Sequence, residues 1–291
     1  MRTPVPRIAA VHDLSGFGRA SLTMVMPILS TMGIQVCPVP TAILSTHTGG
    51  FQGYKFIDLT ADLEQYLAHW QQLGIHFDGI YTGFMGSPQQ VEIISRFIDA
   101  GSSQHPLVVI DPVLGDNGQL YQTMNREMVE QMKGFIGRAD VITPNFTEAC
   151  FLLDKEYQPC IDEKHIKDWL RRLADMGPEI VIITSVPDCK TSKITSVVAY
   201  DRQDERFWKV KCEYIPAFFP GTGDGFTSVI VGSMMTGDSL PVALDRAVHF
   251  ITLAIRASYG YNYPQREGVL LERVLDSLKA PVVVSSYEIM E

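Results

Sequence analysis

Short apolar runs alternate along the chain with longer segments in which apolar residues recur every three or four positions. The short runs are rich in β-branched residues and are bounded by glycine, proline or polar residues, a pattern that predicts buried strands. These strands are predicted at residues 7–12, 34–42, 79–81, 107–111, 141–142 and 179–184. The longer segments predict helices at residues 20–32, 61–73, 88–100, 125–134, 162–176, 225–235, 240–259 and 268–278. Such alternation is typical of βαβ units around a parallel sheet.

Two further runs, at residues 193–200 and 205–211, alternate between apolar and polar positions and are joined by the polar residues 201–204. This pattern predicts an antiparallel hairpin at one edge of the sheet. The stretch 281–284 fits either one more strand or a surface tail. Because no linker, repeat or low-complexity tract interrupts the pattern, we expect a single α/β domain over residues 1–291.

The composition narrows the class of protein. The chain has 291 residues, 46% of them hydrophobic, which is enough for a sizeable core. Its formal net charge of −9 argues against nucleic-acid binding, because phosphate contacts require a basic surface. The first apolar run is broken by His12 and Asp13, and no apolar run is long enough to span a membrane, so neither a signal peptide nor a membrane helix is expected. We therefore expect a protein that acts on a small molecule, without nucleic acid or membrane.

The cysteines are odd in number, widely spread and without a C-x-x-C pair. This usage predicts reduced thiols in a cytoplasmic protein and no cysteine metal cluster. The positions concerned are Cys37, Cys150, Cys160, Cys189 and Cys212.

A glycine-rich stretch, Gly221-Thr222-Gly223-Asp224-Gly225, opens the predicted helix at residues 225–235. The first turn of a helix presents free N–H groups and the positive end of the helix dipole, and glycines allow a ligand to approach the backbone closely. The stretch can therefore hold an anion such as a phosphate. Asp224 would repel that phosphate unless it aligns and deprotonates a hydroxyl group that attacks the phosphorus. The alternative is that Asp224 only caps the helix.

Other nucleotide-binding motifs are absent from the sequence. There is no G-x-x-x-x-G-K-[ST] motif and no Gly-Lys dipeptide, which excludes a Walker-type loop. The G-x-G-x-x-G fingerprint also fails, because Phe226 occupies the place of the third glycine.

Carboxylates follow two of the predicted strands. Asp111 ends an apolar strand and Pro112 stops its continuation, so the Asp111 side chain should lie at the carboxyl edge of the sheet, where α/β proteins bind ligands. Asp116 follows on a glycine-flanked loop, and after the next strand Asn145 and Glu148 open a helix. Because Mg²⁺ bound to nucleotide phosphates takes one or two carboxylates, Asp111 and Glu148 are candidate ligands. A simple capping pair of Asn145 with Glu148 is the alternative.

Polar residues also follow the other strands. Thr184 and Ser185 close the strand at residues 179–184 and carry hydroxyls suited to nucleotide phosphates. The first and second strands run into polar loops with glycines, where a small polar ligand can be held. The candidates on these loops are Asp13, Ser15, His47 and Thr48. Phe84, after the third strand, can pack against a flat heteroaromatic ring, although an aromatic residue at a strand end is more often part of the core.

Five motifs together resemble those of the ribokinase-like superfamily, and specifically of the pyridoxal kinases. They are S-x-H-T-G at residues 45–49, D-P-V-L-G-D at 111–116, T-P-N-x-x-E at 143–148, I-T-S at 183–185 and G-T-G-D at 221–224. The resemblance runs through nearly the whole chain. The G-T-G-D motif is a signature of the superfamily, and the D-P-V-x-G-D and S-x-H-T-G motifs narrow it to the family.

The resemblance implies a three-layer α/β/α fold with a mainly parallel central sheet, and transfer of the ATP γ-phosphoryl group to the 5'-hydroxymethyl group of a B6 vitamer. It implies that Asp224 is the base and that the amides of Gly221, Thr222 and Gly223 form the anion hole. The implied contacts are Asn145, Thr184, Ser185, Thr222 and Asp116 for the nucleotide, Asp13, Ser15, His47, Thr48 and Phe84 for the vitamer, and Asp111 and Glu148 for Mg²⁺. A monovalent cation such as K⁺ and a homodimer are also implied.

The first strand departs from the pyridoxal kinase pattern. Many of those enzymes have Q-S-H there, whereas this chain has V-H-D-L-S-G-F-G at residues 11–18, closer to the D-x-S-G-x-G loop of hydroxymethylpyrimidine kinases. Both acceptors are flat nitrogen rings with a primary alcohol. A hydroxymethylpyrimidine kinase is therefore an alternative, as is a vitamer-binding protein without catalytic activity. The absent dinucleotide fingerprint opposes a nicotinamide-dependent dehydrogenase.

Overall fold

The computed structural model describes residues 4–101, 105–191, 193–281 and 286–290. The strands in this part of the chain are β1 (Arg7–Ser15), β2 (Gln35–Leu44), β3 (Phe56–Asp58), β4 (Gly79–Thr82), β5 (Leu107–Ile110), β6 (Gly115–Asp116), β7 (Gln119–Leu120), β8 (Val141–Ile142), β9 (Ile180–Pro187), β10 (Ile194–Asp201), β11 (Arg206–Glu213) and β12 (Tyr287–Ile289). The helices are α1 (Leu22–Thr31), α2 (Thr60–Gln72), α3 (Pro88–Gly101), α4 (Arg126–Phe135), α5 (Phe146–Leu152), α6 (Glu163–Ala174), α7 (Thr222–Met235) and α8 (Leu240–Tyr259).

Ten of these strands form one sheet in the order β12-β11-β10-β9-β8-β5-β4-β1-β2-β3. The central strands, from β9 to β2 in this order, are parallel to one another. Because parallel strands share a direction, their carboxyl ends lie along one rim of the sheet. Both edges are antiparallel, with β10, β11 and β12 beyond β9, and β3 beyond β2. Strands β6 and β7 form a separate short hairpin after β5.

The sheet is buried on both faces, because side chains alternate along each strand. Ala9 and Val11 of β1 belong to a cluster with buried residues of α2, α3, α4, α5 and α6. Ile8 and Ala10 belong to the opposite cluster, with α1, α7 and α8. The helices thus cover both faces, which confirms the three layers. In the described part of the chain, no helix combines the length and the apolar character that crossing a bilayer requires.

The six predicted parallel strands and most of the predicted helices are confirmed at their positions along the chain. Strand β1 continues to Ser15 and β9 to Pro187, past their predicted ends. The predicted edge hairpin is β10 and β11, which pair in register from Ile194 with Glu213 to Asp201 with Arg206. The stretch 281–284 lies outside the described residues, apart from its first residue, and the edge strand observed near it is β12.

The helix predicted at residues 268–278 is wrong. The chain there forms two 3₁₀ turns, Leu271–Arg273 and Leu275–Lys279. The buried side chains there include Leu271, Val274 and Leu278, which are three and four residues apart, as on one face of an α-helix. The backbone nevertheless makes only short turns. Four short strands were not predicted, because β3, β6, β7 and β12 have two or three residues each and show no periodic pattern. Helix α5 was anticipated only at its start.

The prediction that all the cysteines are reduced is wrong for one pair. Cys160, in the segment before α6, and Cys189, in the loop after β9, form a disulfide, with 4.9 Å between their Cα atoms. Cys37, Cys150 and Cys212 are free. The two cysteines are 29 residues apart in the sequence. They meet because the end of β9 lies beside the connection between α5 and α6, a contact that the spacing of the cysteines does not reveal.

Helix α7 begins at Thr222, earlier than predicted, and the glycine before it fixes its start. Gly221 occupies the N-cap with a φ of 82°. A Cβ atom at Gly221 would overlap the carbonyl oxygen of Arg19 and lie 3.0 Å from the Cα atom of Ala20. Only glycine meets both requirements without strain. A Cβ atom at Gly223, in contrast, would have open space around it.

We expect Gly221→Ala to lower the melting temperature by about 4 °C or more, because the left-handed conformation costs an alanine roughly 1–2 kcal/mol and the Arg19 carbonyl must also move. Gly223→Ala is the matched control, since it adds a methyl group to open space in the same helical turn. Its melting temperature should stay the same or rise slightly. Thermal unfolding followed by circular dichroism compares the two, and equal values would contradict a structural role for Gly221.

Candidate active site

The carboxyl rim of the sheet brings together elements that are far apart in the sequence. Asp111 directly follows β5, and Asn145 lies between β8 and α5. Helix α7 reaches the same rim, because the hydroxyl of Thr227 donates to the hydroxyl of Thr143 after β8, at 2.9 Å. The carboxylates predicted at strand ends and the glycine-rich helix start therefore share one edge of the sheet.

Asp224 lies in the first turn of α7, but its side chain does not cap this helix. Its Oδ2 atom accepts a hydrogen bond of 2.8 Å from the backbone N–H of Ser21, in the segment before α1. Its backbone carbonyl oxygen accepts from the hydroxyl of Ser228 at 2.6 Å. The N-cap position is Gly221, which has no side chain. The capping alternative for Asp224 is therefore wrong, and its carboxylate faces the rim.

Burial is the largest influence on the Asp224 carboxyl group. The side chain is 15% exposed. Burial raises its pKa to about 7, the Ser21 N–H lowers this pKa, and the charge of Asp13 raises it. A carboxylate that titrates near neutrality can take a proton from a hydroxyl group and release it again. The group has the properties of a general base.

Asp111 and Glu148 are two buried carboxylates, 6% and 3% exposed. Burial, followed by the charges of Glu148 and Asp224, raises the pKa of Asp111 well above its usual range. A hydrogen bond with Thr227 has the opposite effect. Burial also raises the pKa of Glu148 to about 8. The charges of both other carboxylates thus act on Asp111, and such a place favours a bound cation.

Glu148 also has a structural role, because it forms a reciprocal capping box with Asn145 at the start of α5. Asn145 Oδ1 accepts from the Glu148 N–H at 2.9 Å, and Glu148 Oε2 accepts from the Asn145 N–H at 2.8 Å. Glu148 Oε1 accepts from the Leu114 N–H at 3.1 Å. The capping alternative is confirmed, and the backbone N–H groups of Asn145, Leu114 and Gly115 all lower the pKa of Glu148.

The acidic residues of the rim do not form a large metal cluster. Among the residues that the structure describes, no three His, Cys, Asp or Glu side chains come together as a metal site. A metal ion held by Asp111 and Glu148 would complete its coordination with water and phosphate oxygens, as Mg²⁺ commonly does.

Two of the predicted nucleotide contacts have side chains that donate hydrogen bonds to backbone carbonyl oxygens of the protein. The side-chain amide of Asn145 donates to the Gly115 carbonyl oxygen at 2.8 Å. The hydroxyl of Thr222 donates to the Phe219 carbonyl oxygen at 3.1 Å. Each bond orients its side chain, so both residues are more rigid than their place in loops would suggest.

The other predicted nucleotide contacts lie on both sides of Asn145. Thr184 forms a parallel bridge with Asn145, and Ser185 beside it is exposed, with a φ of 58°. Such a conformation is uncommon for a residue other than glycine and occurs often at binding sites. Asp116 lies in β6, and its charge contributes to the raised pKa of Glu148. These residues surround the same part of the rim.

The predicted vitamer contacts lie at the end of β1 and in the loop after β2. Asp13 is buried and accepts from the hydroxyls of Ser15, at 3.0 Å, and Ser21, at 2.5 Å. His47 is also buried, and its Nδ1 accepts from the Gly49 N–H at 3.1 Å. The ring proton of His47 therefore lies on Nε2. The Arg266 backbone lies near enough to His47 to raise its pKa, but no described residue meets the geometry of a hydrogen bond to this Nε2, so it is a donor available to a ligand.

The loops after β1 and β2 converge with the start of α7. A Cβ atom at Gly18 would overlap the ring of His47, and one at Gly49 would lie 3.0 Å from the Cγ atom of Pro220. Thr48, which lies between His47 and Gly49 in the loop after β2, is exposed. The predicted acceptor loops are thus in contact with the segment that carries Asp224.

The aromatic residues are arranged differently from the prediction. Phe84 is half-buried against the cluster that includes α2 to α6, in agreement with the core alternative, and its contact with a substrate stays a prediction. Phe51 lies beside His47, with ring centroids 5.0 Å apart, and Phe17 lies 5.9 Å from Phe51. The Arg266 guanidinium lies over the Phe51 ring, 4.9 Å from its centroid. Isolated aromatics in loops give no periodic signal, so the sequence did not reveal this group.

Two further residues of the site were not singled out from the sequence. Ser21 binds Asp224 through its backbone N–H and Asp13 through its hydroxyl, with a φ of 51°. Tyr81 is fully buried, and its hydroxyl donates to the Asp224 carbonyl oxygen at 3.4 Å. Burial, followed by the charges of Asp111 and Asp224, raises the pKa of Tyr81. A backbone donor leaves no sequence signal, and a tyrosine in an apolar strand resembles any core residue.

Comparisons with known proteins place this site in a family. The family model described as phosphomethylpyrimidine kinase matches residues 26–268. A crystal structure from Bacteroides thetaiotaomicron, of a protein provisionally classified as a phosphomethylpyrimidine kinase and crystallised with pyridoxal, is 55% identical, with a TM-score of 0.95 over 98% of this chain and 100% of that one. The structure of pyridoxal kinase from Lactobacillus plantarum is 31% identical, with a TM-score of 0.85 over 95% of this chain and 97% of that one.

A curated relative agrees with these matches. The pyridoxal kinase of Dictyostelium discoideum is 27% identical over 267 residues, which are 84% of this chain and 84% of that protein. The match of the family model covers most of the chain, and the solved relatives share its whole fold. The chain therefore belongs to the phosphomethylpyrimidine kinase family and has the ribokinase-like fold of the pyridoxal kinases.

Proposed function

We propose that the protein is an ATP-dependent kinase that phosphorylates the 5'-hydroxymethyl group of a B6 vitamer, namely pyridoxal, pyridoxamine or pyridoxine. The observation that carries this proposal is the position of Asp224, whose buried carboxylate lies at the start of α7 and repels Asp111 at the sheet rim. An anion site, a base and a cation site then share one space, as phosphoryl transfer to an alcohol requires. The Bacteroides protein crystallised with pyridoxal supports a pyridine acceptor.

In this proposal the vitamer hydroxyl attacks the γ-phosphorus of ATP in line. The new O–P bond forms as the bond to the departing ADP oxygen breaks, and the hydroxyl proton passes to Asp224. The backbone N–H groups of Gly221, Thr222 and Gly223 stabilise the charge on the transferring oxygens. Because Ser21 occupies Oδ2 of Asp224, we assign the proton to Oδ1. With a pKa of about 7, Asp224 is ionised at slightly alkaline pH.

ATP is assigned to the side of the rim formed by β8, β9 and α7. The proposed contacts are Asn145, Thr184, Ser185, Thr222 and Asp116. Asp111 and Glu148 fit Mg²⁺, because they are buried carboxylates whose repulsion a cation relieves. When bound, Mg²⁺ supplies positive charge to the phosphate oxygens.

The vitamer is assigned to the pocket where the ends of β1 and β2 meet the start of α7. The proposed contacts are Asp13, Ser15, His47, Thr48 and Phe84. The Nε2–H of His47 is buried and without a partner among the described residues, so it suits a polar substituent of the ring. Phe51, beside His47, supplies an aromatic surface next to this donor.

We also propose a cytoplasmic homodimer of single-domain subunits, with K⁺ used beside Mg²⁺. The homodimer and K⁺ are supported by the resemblance of the sequence motifs to pyridoxal kinases. The single domain is supported by the ten-stranded sheet, and the cytoplasmic location by the absence of a C-x-x-C pair in the sequence and by the three free cysteines. The assignment of Asp224 as the base does not depend on these properties.

A hydroxymethylpyrimidine kinase is the second candidate, and two observations favour it. The matching family model is that of a phosphomethylpyrimidine kinase, and the loop at residues 13–18 is D-L-S-G-F-G. A vitamer-binding protein without activity is opposed by the presence of both Asp224 and the glycine-rich helix start.

Rates with four alcohols decide between the acceptors. We expect kcat/KM for the best of pyridoxal, pyridoxamine and pyridoxine to exceed that for hydroxymethylpyrimidine by about tenfold or more, a difference of roughly 1.4 kcal/mol. A coupled assay of ADP release measures all four. Faster turnover of the pyrimidine would establish the second candidate, and no ADP release with any alcohol would contradict both.

Replacement of the base should stop turnover without removing the nucleotide. We expect Asp224→Asn to lower kcat by at least about a hundredfold, because the amide cannot accept the proton. Calorimetry should show that the variant still binds ATP. Asp276→Asn, which changes a fully exposed carboxylate outside the rim, is the control and should turn over at the wild-type rate. Near-normal turnover of Asp224→Asn would show that the base is a different group.

Removal of one buried carboxylate should stabilise the protein while it disables the site. Burial and the charge of Glu148 raise the pKa of Asp111, and burial raises that of Glu148 to about 8, so this pair destabilises the wild type increasingly as the pH rises to 9. Without Mg²⁺, Asp111→Asn should then melt about 2–4 °C above the wild type, the shift for roughly 1 kcal/mol. Towards pH 6 the raised carboxyl pKa values lower the stability of the wild type less, so the difference should shrink. A lower melting point of the variant at pH 9 would refute the repulsion.

A further inference from the structure

His12, in β1, is a fully buried histidine for which the assigned reaction has no role. Neither ring nitrogen has a hydrogen-bond partner among the described residues. An unpaired buried polar group is destabilising, and native proteins contain few of them. The ring is nevertheless held firmly, because its centroid is 4.4 Å from that of Tyr81 and a Cβ atom at Gly83 would overlap it.

The ring of His12 lies on the side of β1 that faces α7, where Asp224 is nearby. His12 Nδ1 is 4.0 Å from Asp224 Oδ1. This distance is longer than a hydrogen bond, but catalytic hydrogen bonds are often long before the substrate binds. Asp224 Oδ2 already accepts from the Ser21 N–H at 2.8 Å, whereas Oδ1 accepts no hydrogen bond from the described residues. One oxygen of the carboxylate is fixed and the other faces the imidazole.

The imidazole is neutral in this position. Burial lowers the pKa of His12 to about 3, far below that of Asp224, so it cannot take over the proton that Asp224 receives. A neutral ring still has one N–H donor. Tyr81 does not compete for this contact, because its hydroxyl donates to the backbone carbonyl oxygen of Asp224. Asp13, the other charged neighbour, binds Ser15 and Ser21.

We propose that His12 is a positioning residue, whose Nδ1–H donates to Oδ1 of Asp224 when the acceptor alcohol is bound and, with the Ser21 N–H, fixes the plane of the carboxylate. One lone pair of Oδ1 then remains for the hydroxyl of the alcohol. The inference rests on the proposed function, because it assigns His12 to the base of that reaction. In the competing explanation, His12 only fills the space between β1, β4 and α7.

Substitutions at His12 separate these two explanations. An asparagine can place its amide N–H near the position of Nδ1, a glutamine reaches only the position of Nε2, and a leucine fills the volume without a donor. We expect kcat for the B6 vitamer to fall about tenfold in His12→Leu and His12→Gln, the effect of roughly one hydrogen bond in the transition state. His12→Asn should keep most of the wild-type kcat. The KM values for vitamer and ATP should stay within about twofold in all three, since binding is not affected.

Thr82→Val is the matched control. Like the His12 substitutions, it removes a buried polar atom that has no partner among the described residues. Thr82 pairs with Val11 of β1, whose side chain lies on the face of the sheet opposite to α7, so Thr82 lies away from Asp224. Its kcat should equal that of the wild type. Thermal unfolding shows whether each variant is folded, and if His12→Leu is not, the comparison of His12→Asn with His12→Gln still decides.

A double-mutant cycle tests whether His12 acts through Asp224. In the Asp224→Asn background, His12→Leu should lower the residual kcat by less than about twofold, because the partner of the imidazole is gone. An unchanged tenfold effect in that background, or equal losses in His12→Asn and His12→Gln, would overturn the proposal and leave a packing role. If the wild type phosphorylates none of the alcohols, the proposed function fails and this inference fails with it. An active wild type with insensitive His12 variants contradicts only the role of His12.

Discussion

Burial of carboxylates at the carboxyl rim of the sheet is the constraint on which the proposed site depends. Asp111, Glu148 and Asp224 lie where solvent is largely excluded, and burial is the main influence on the pKa of each. An ionised group in such a place is destabilising unless it is compensated. The groups that lower the pKa of Asp224 and Asp111 are a backbone N–H and a hydroxyl, which offset only part of that effect. No cation among the described residues lowers the pKa of Asp111 or Asp224, so these carboxylates suit the metal cation of the proposed reaction.

The position of Asp224 is set by the packing of helices as well as by Gly221 before α7. A Cβ atom at Gly225 would lie 3.0 Å from Ile251 in α8 and 3.6 Å from Met24 in α1, so the glycine allows these helices to approach α7 closely. That approach brings the N–H of Ser21 to the Asp224 carboxylate. The same glycine-rich stretch that leaves amides open to an anion also fixes the proposed base, which explains why glycines and a carboxylate occur together there.

Apolar periodicity was enough to predict the parallel strands and the rim, because each element is buried on a definite face and each polar residue follows a strand. Asp111 and Asn145 could be placed in this way. The link between Ser21 and Asp224 could not, because it joins residues 203 positions apart through a backbone N–H that every residue possesses. The helix prediction for residues 268–278 failed for another reason. The apolar residues there have helical spacing because they pack into the core, while the backbone forms 3₁₀ turns.

The contacts that select the acceptor ring differ from those that carry out phosphoryl transfer. In the proposed reaction, Asp224 and the amides of α7 act on a primary alcohol, which pyridine and pyrimidine acceptors share. The two rings are alike in size but differ in the donors and acceptors they present, so discrimination must come from the loops after β1 and β2. There, Thr46 Oγ1 and His47 Nε2 are buried without a partner among the described residues. A polar group left unpaired by the wrong ring can discriminate by about 10⁴-fold, far more than ring size can. A change of acceptor thus requires new side chains in these loops and none in α7. This agrees with the comparisons, because the family model of a pyrimidine kinase matches this chain, while its relatives include pyridoxal kinases.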